Sequence, residues 1–341
     1  MRHLAFVVSL GCIGVLAFTE GASTQAGLGA GAKTAWSWTP AIQTAGDGQV
    51  YVEQVRDNVY LLIGAGGNIT VSAGTDGILM VDVGTAAMSD KVLAAVRTIS
   101  QGPIRYLVNT NERAEYSGAN ETIAAAGETI PWRPGDTIQI QGYIGTNRAT
   151  VVSHVSVLER MSAPQGKAAP RAEAAWPDAT YSTPQKKLHF NGEPVVIMHQ
   201  PSATDGNSMV HFRRADVVSV GDLIDFTAYP FIDLSAGGSI QAMLQGLNRL
   251  IDITVPDKQS EDGTLVIPGH GRILDQPDVV YYYEMLSIIR DRVQDMISRG
   301  LTLQQIHAAR PTRDFDVRYS RNTGSWTTER FVEAVHQSLT K

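Results

Sequence analysis

The stretch Leu107–Asn120, L-V-N-T-N-E-R-A-E-Y-S-G-A-N, gathers the side chains with the most chemistry to offer. Asn111 supplies a weak amide oxygen, while Arg113 carries a permanent positive charge and no lone pair to donate. Glu115 is a carboxylate that can bind a cation, and Tyr116 would need a lowered phenol pKa to do the same. Two chemistries suit such a set: a carboxylate contributing to a metal site, or a carboxylate paired with a guanidinium. Ser117 and Ser235 lack an evident His/Asp partnership for nucleophilic catalysis.

The flanks say where these residues sit. Ile104–Asn109 is a short apolar run suited to a buried strand. After the polar loop, Ala-rich sequence favours a helix that Gly127 would end. A strand, a loop and a helix put the loop at the carboxyl end of a strand, where open α/β sheets place their ligands.

Around this unit the strand signals come first: Val50–Val55, Asn58–Ile63, Asn68–Ala73 and Gly77–Val83, separated by glycines that suit hairpins. Ala86–Ser100 has helical periodicity. Residues 128–149 read as an insertion with a turn and a hairpin, in which Trp132 and Tyr143 pack their own loop or line a pocket mouth. Thr150–Ser153 is a strand, Val155–Met161 a short helix that His154 begins, and Ser162–Ser182 a surface loop. Strands follow at Lys187–Phe190, Glu193–His199, Met209–Phe212, Val217–Val220 and Thr264–Ile267, with a helix over Gly238–Ile251. His199 and His211 fall on strands as packing or surface residues. Val279–Arg299, Leu301–Ala309 and Thr327–Leu339 close the chain helically.

The 341 residues, 43% hydrophobic and 18% charged, suffice for a full core. The net charge of −6 comes without a basic stripe, which argues against a nucleic-acid partner. Residues 1–26 read as a secretory signal, with Arg2 and His3 before the apolar run Leu4–Phe18, and residues 27–48 as a loose leader. This implies a secreted or periplasmic destination, with no stable membrane span once the signal is cleaved. Cys12 is the only cysteine, so the mature chain would have none.

The order strand, N-T-x-x-x-x-x-x-x-G-x-N, helix resembles the metallo-β-lactamase fold family, which carries H-x-H-x-D-H in this loop. Asn111, Arg113, Glu115 and Tyr116 stand at those four positions. Three further motifs match. Val81-Asp82-Val83-Gly84 resembles the early strand end whose Asp supports the metal loop. Val220-Gly221-Asp222 resembles the strand end whose Asp bridges two metals, and Pro268-Gly269-His270-Gly271 the loop that supplies the last His. Pro201–Asn207 resembles the flanks of another metal-binding His, which is missing between Ala203 and Thr204.

The resemblance covers roughly Val50 to Arg299 and implies an α/β fold: a four-layer αββα sandwich over residues 49–300, with extra C-terminal helices in 301–341. It also permits a ligand count. None of the three His of the family's first metal remains, and of the second metal's ligands Asp222 and His270 persist, with Glu115 a partial substitute. The expected cofactor is therefore none or one weakly bound divalent metal, zinc by resemblance, on Glu115, Asp222 and His270. In the metal-free arrangement Arg113 replaces the lost cation between Asp222 and Glu115. The resulting expectation is a hydrolase-like scaffold with a degenerate site and little or no two-zinc activity, whose pocket takes a small molecule with Arg113 and Tyr116 as contacts. The alternatives are an active one-metal hydrolase of ester, amide or phosphoester bonds, and a non-catalytic binding module using the 128–149 and 162–182 surfaces.

Overall fold

In the computed structural model, residues 47–129, 147–164, 169–256 and 263–340 are described. The signal, nearly all of the leader, and the centre of the 128–149 insertion with Trp132 and Tyr143 lie outside them.

The apolar runs of the first half form a seven-stranded sheet in chain order. Strands β1 (Tyr51–Arg56), β2 (Val59–Ile63), β3 (Ile69–Gly74) and β4 (Gly77–Val81) pair antiparallel. Helix α1 (Ser89–Ile99) then returns the chain so that β5 (Ile104–Val108) runs parallel to β4. The short helices α2 (Ala114–Ser117) and α3 (Asn120–Ala125) lead towards β6 (Thr150–His154), and α4 (Val155–Ser162) towards β7 (Ala179–Tyr181), both strands parallel additions. The second sheet has five strands: β8 (Gln185–Phe190), β9 (Glu193–His199), β10 (Ser208–Phe212), β11 (Val217–Ser219) and β12 (Leu265–Ile267). The first four are antiparallel neighbours, and β12 joins β11 in parallel after crossing over through α5 (Ile240–Ile253). Helices α6 (Gln276–Ser298), α7 (Leu303–Ala309), α8 (Asp316–Tyr319) and α9 (Thr328–Thr340) complete the chain.

Alternation along the strands explains the layers. In β2, Val59, Leu61 and Ile63 share one apolar cluster with Val195, Ile197 and Val210 of the other sheet, which joins the two sheets face to face. Leu62 points the other way, into a cluster with Val92 and Val96 of α1 and Ile123 of α3. Across the molecule, Val196 and Met198 of β9 meet Leu247 of α5, Leu286 of α6 and Phe331 of α9. Strands covered on both faces need continuous apolar sequence, as β2 and β4 have. The architecture is the four-layer αββα sandwich, and the C-terminal helices are part of its outer layer.

Two expectations need correcting. The 162–182 stretch is more than a surface loop: β7 extends the first sheet through Val152↔Ala179 pairing, and Arg171 reaches inward to the polar loop after β5. The helix expected from Ala86 begins at Ser89, after a tighter 3₁₀ turn over Ala86–Met88.

Candidate functional site

The polar loop leaves β5 under tight control. The Asp82 carboxylate accepts both the Thr110 backbone N–H and the Thr110 hydroxyl, each at 2.8 Å. Asp82 is buried and adopts φ +63°, a left-handed conformation held by those bonds. The Thr110 carbonyl in turn accepts the Ser208 N–H at 2.9 Å, tying this loop to the second sheet. Asp222 lies in a 3₁₀ turn just after β11, and His270 in the loop just after β12. Because β11 and β12 are parallel, their carboxyl ends lie side by side, and Gly269 N–H donates to the Gly221 carbonyl at 2.9 Å.

These constraints converge on Asp222, whose side chain is only 4% exposed. Its Oδ2 accepts from Arg113 Nη1 at 2.7 Å and from Asn111 Nδ2 at 3.1 Å, and its Oδ1 accepts from the Tyr116 phenol at 2.5 Å. The other arm of the Arg113 guanidinium, Nη2, is 2.5 Å from Glu115 Oε1. Glu115 Oε2 lies 3.6 Å from His270 Nε2. A chain of alternating acidic and basic groups thus runs Asp222, Arg113, Glu115, His270. Phe231 completes it from one side, with the Arg113 guanidinium carbon 4.1 Å from its ring centroid.

Burial and charge pull against each other here. Burial lifts the Asp222 carboxyl above its ordinary range, and Arg113 opposes that most strongly. Burial would weaken the Arg113 charge, but Asp222 and Glu115 outweigh it and raise its pKa. Burial also favours a neutral Glu115, yet His270 and Arg113 hold its carboxyl below the usual value. At His270 burial favours the uncharged ring, and Glu115, with Asp225 and Asp222, more than compensates, so its pKa rises. The Tyr116 phenol is pushed well above 10 by burial and by the Asp222 charge.

Tyr116 therefore keeps its proton and donates a hydrogen bond to Asp222 where an anionic ligand would have offered lone pairs. It is fully buried, which overturns the expectation that it touches a pocket ligand. Its ring fits because two neighbours lack side chains. A Cβ on Gly67 would come within 2.5 Å of the ring, and one on Gly269 would strike the phenol oxygen and lie 2.7 Å from the Gly221 carbonyl. The partly exposed groups are Arg113, Glu115 and His270, at 28%, 24% and 25%.

Glu115, Asp222 and His270 each present a ligand atom within 4.8 Å of the others, the one such cluster of His, Cys, Asp and Glu among the described residues. Three protein ligands are the number a catalytic zinc takes. The donor set nevertheless fails to fit an ion with Arg113 in place. Guanidinium nitrogens stand at hydrogen-bonding distance from one oxygen of each carboxylate, and the phenol takes the other Asp222 oxygen. At the Ala203–Thr204 junction no His is inserted, and Asn207 instead closes the turn by accepting the Thr204 N–H and hydroxyl. His154 and His199 add no ligand to this cluster. They stack on each other, with ring centroids 3.7 Å apart and planes 2° from parallel.

Other contacts had no local sequence signal. Glu112 faces Arg160 of α4 at 3.4 Å, and Arg160 also pairs with Asp205 in the 201–207 turn. Arg171 donates to Ser117 Oγ at 2.8 Å and to the Glu112 carbonyl. Phe231 and Arg171 lie 118 and 58 residues from Arg113 in the chain, so only the fold brings them together.

With this fold and this cluster at the paired strand ends, the chain has the metallo-β-lactamase fold. Solved structures agree. A double mutant of the sec-alkyl sulfatase PisA1 superposes with a TM-score of 0.60 and 15% identity, over 87% of this chain and 54% of that one. The stereoselective inverting sec-alkylsulfatase Pisa1 from Pseudomonas sp. gives 0.56 and 14%, over 84% and 50%. A metallo-beta-lactamase from Pontibacter korlensis gives 0.51 and 16%, over 70% and 99%. The chain thus spans about half the length of the alkylsulfatases it matches. No protein-family model and no curated protein matches the sequence.

Proposed function

We propose that this chain is a secreted or periplasmic metallo-β-lactamase-fold protein in which an internal ion-pair network replaces the two-metal centre. It has little or no two-zinc hydrolase activity and keeps a small-molecule site at the partly exposed Arg113, Glu115 and His270. The observation that carries this reading is the Arg113 guanidinium bridging Asp222 and Glu115. Arg113 sets a fixed positive charge between the two carboxylates, and their proximity raises the His270 pKa, so the cluster has less negative charge to offer a divalent ion. No helix among the described residues is long and apolar enough to cross a bilayer.

A second reading has one observation in its favour, the clustering of three ligand atoms within 4.8 Å. In it a single ion on Glu115, Asp222 and His270 activates water for hydrolysis of an ester, amide or phosphoester. Assay of the purified protein on ester, β-lactam, phosphoester and secondary alkyl sulfate substrates, with and without added Zn²⁺ or Mn²⁺, separates the two. Metal-stimulated turnover that disappears in Asp222→Ala would establish the second reading and remove the first.

A further inference from the structure

A cleft of about 380 Å³ lies between the Ile232–Ser235 segment and α9. None of Arg113, Glu115 and His270 lines it, so it is separate from the strand-end cluster. We propose that this cleft binds a small organic ammonium ion carrying an aromatic or aliphatic group.

The apolar part of the lining is already fixed. Ile232 and Ala334 are buried, and Leu234 and Trp326 pack against the same apolar cluster as Phe331 and Val335 of α9. The Trp326 indole is held at two points. Its Nε1–H donates to the Pro230 carbonyl at 3.2 Å, and its ring meets Phe231 edge to face, with centroids 4.7 Å apart. A wall set in advance costs little ordering when a ligand arrives. The charge of the lining selects the ligand. Two carboxylates, Asp233 and Glu333, stand against one guanidinium, Arg330. Asp233 Oδ1 caps the turn at Leu234–Ala236 by accepting the Ser235 and Ala236 N–H groups at 2.9 and 3.1 Å, and Glu333 Oε1 accepts from Gln337 Nε2 at 3.1 Å. Among the described residues nothing engages the second oxygen of either carboxylate. Arg330 Nη1 donates to the Ser325 carbonyl at 2.8 Å. Two uncommitted carboxylate oxygens beside an indole suit an ammonium group: the oxygens accept its N–H bonds, and Trp is the strongest aromatic partner for a cation. A carboxylate ligand would meet the same oxygens as like charges.

The test titrates the full chain at neutral pH with phenethylamine, phenylacetate and 2-phenylethanol in turn. The readout is the Trp326 indole N–H resonance, assigned as the one absent from Trp326→Phe. Phenethylamine should shift it saturably, with a dissociation constant on the order of millimolar for a ligand of so few atoms. Phenylacetate and 2-phenylethanol should bind about tenfold more weakly or not at all. Glu333→Gln, on a partly exposed face of α9, removes one charge and keeps a side chain able to bond Gln337; it should weaken phenethylamine by about fivefold. Equal binding of phenylacetate or of 2-phenylethanol overturns the ammonium assignment, and the absence of a saturable shift with phenethylamine overturns the site. A shift that is lost in Glu115→Gln and kept in Glu333→Gln moves the amine to the strand-end cluster and overturns it as well.

Discussion

Arg113 Nη1 and Asp222 Oδ2 lie 2.7 Å apart across 109 residues of chain, one group on the loop after β5 and the other after β11. The bond joins the two sheets at the point where the fold gathers its strand ends. Asp222 is 4% exposed, so removing Arg113 leaves its carboxylate with little water to receive the charge.

Asp222→Ala should be costly. It leaves the partly exposed Arg113 with Glu115 alone and deprives Tyr116 and Asn111 of their acceptor, a loss on the order of 1–3 kcal/mol. Urea unfolding followed by circular dichroism reads this directly. A loss under about 1 kcal/mol would mean that the network relaxes into water.

Tyr116→Phe isolates the phenol. It deletes the 2.5 Å bond to Asp222 and leaves the ring packed between Gly67 and Gly269. Hydrogen bonds to charged groups are worth about 1.5–3 kcal/mol, and the variant should lose that much in the same experiment. Gly269→Ala should also destabilise, through overpacking by roughly 1–3 kcal/mol. Combining it with Tyr116→Phe should cost less than the sum of the two, because one of its collisions is with the missing hydroxyl.

The network was partly legible in sequence and partly not. Asp222, His270 and Glu115 sit in or beside short motifs at strand ends, so their meeting point followed from the resemblance. The strand order followed from apolar runs and glycine punctuation. Phe231 and Arg171 carry no such mark, because a ring stacked on a guanidinium or an arginine bonded to a distant carbonyl depends on tertiary placement alone. The same is true of β7, whose three residues follow Ala- and Pro-rich sequence and become a strand only by pairing with β6. Residue type does not reveal that two glycines make room for the Tyr116 ring inside the loop, so the sequence alone points its phenol towards the pocket.

His154 yields a pH prediction. Burial and the stacked His199 lower its pKa from 6.5 to about 4. A base with a depressed folded-state pKa is protonated first in the unfolded chain, so its contribution to stability is complete above pH 6.5 and shrinks as pH falls towards 4. His154→Asn keeps a side chain able to cap α4 and does not titrate. The urea midpoint of this variant should fall less between pH 7 and pH 4.5 than that of the parent. Equal slopes would remove His154 from the acid response.

In the proposed arrangement a guanidinium, and not an ion, holds the two carboxylates together. Elemental analysis of the purified, folded protein after exposure to Zn²⁺ and Mn²⁺ and gel filtration tests it most directly. The account predicts far less than one equivalent of metal per chain. About one equivalent or more retained through the column, and released by Asp222→Ala, would contradict it.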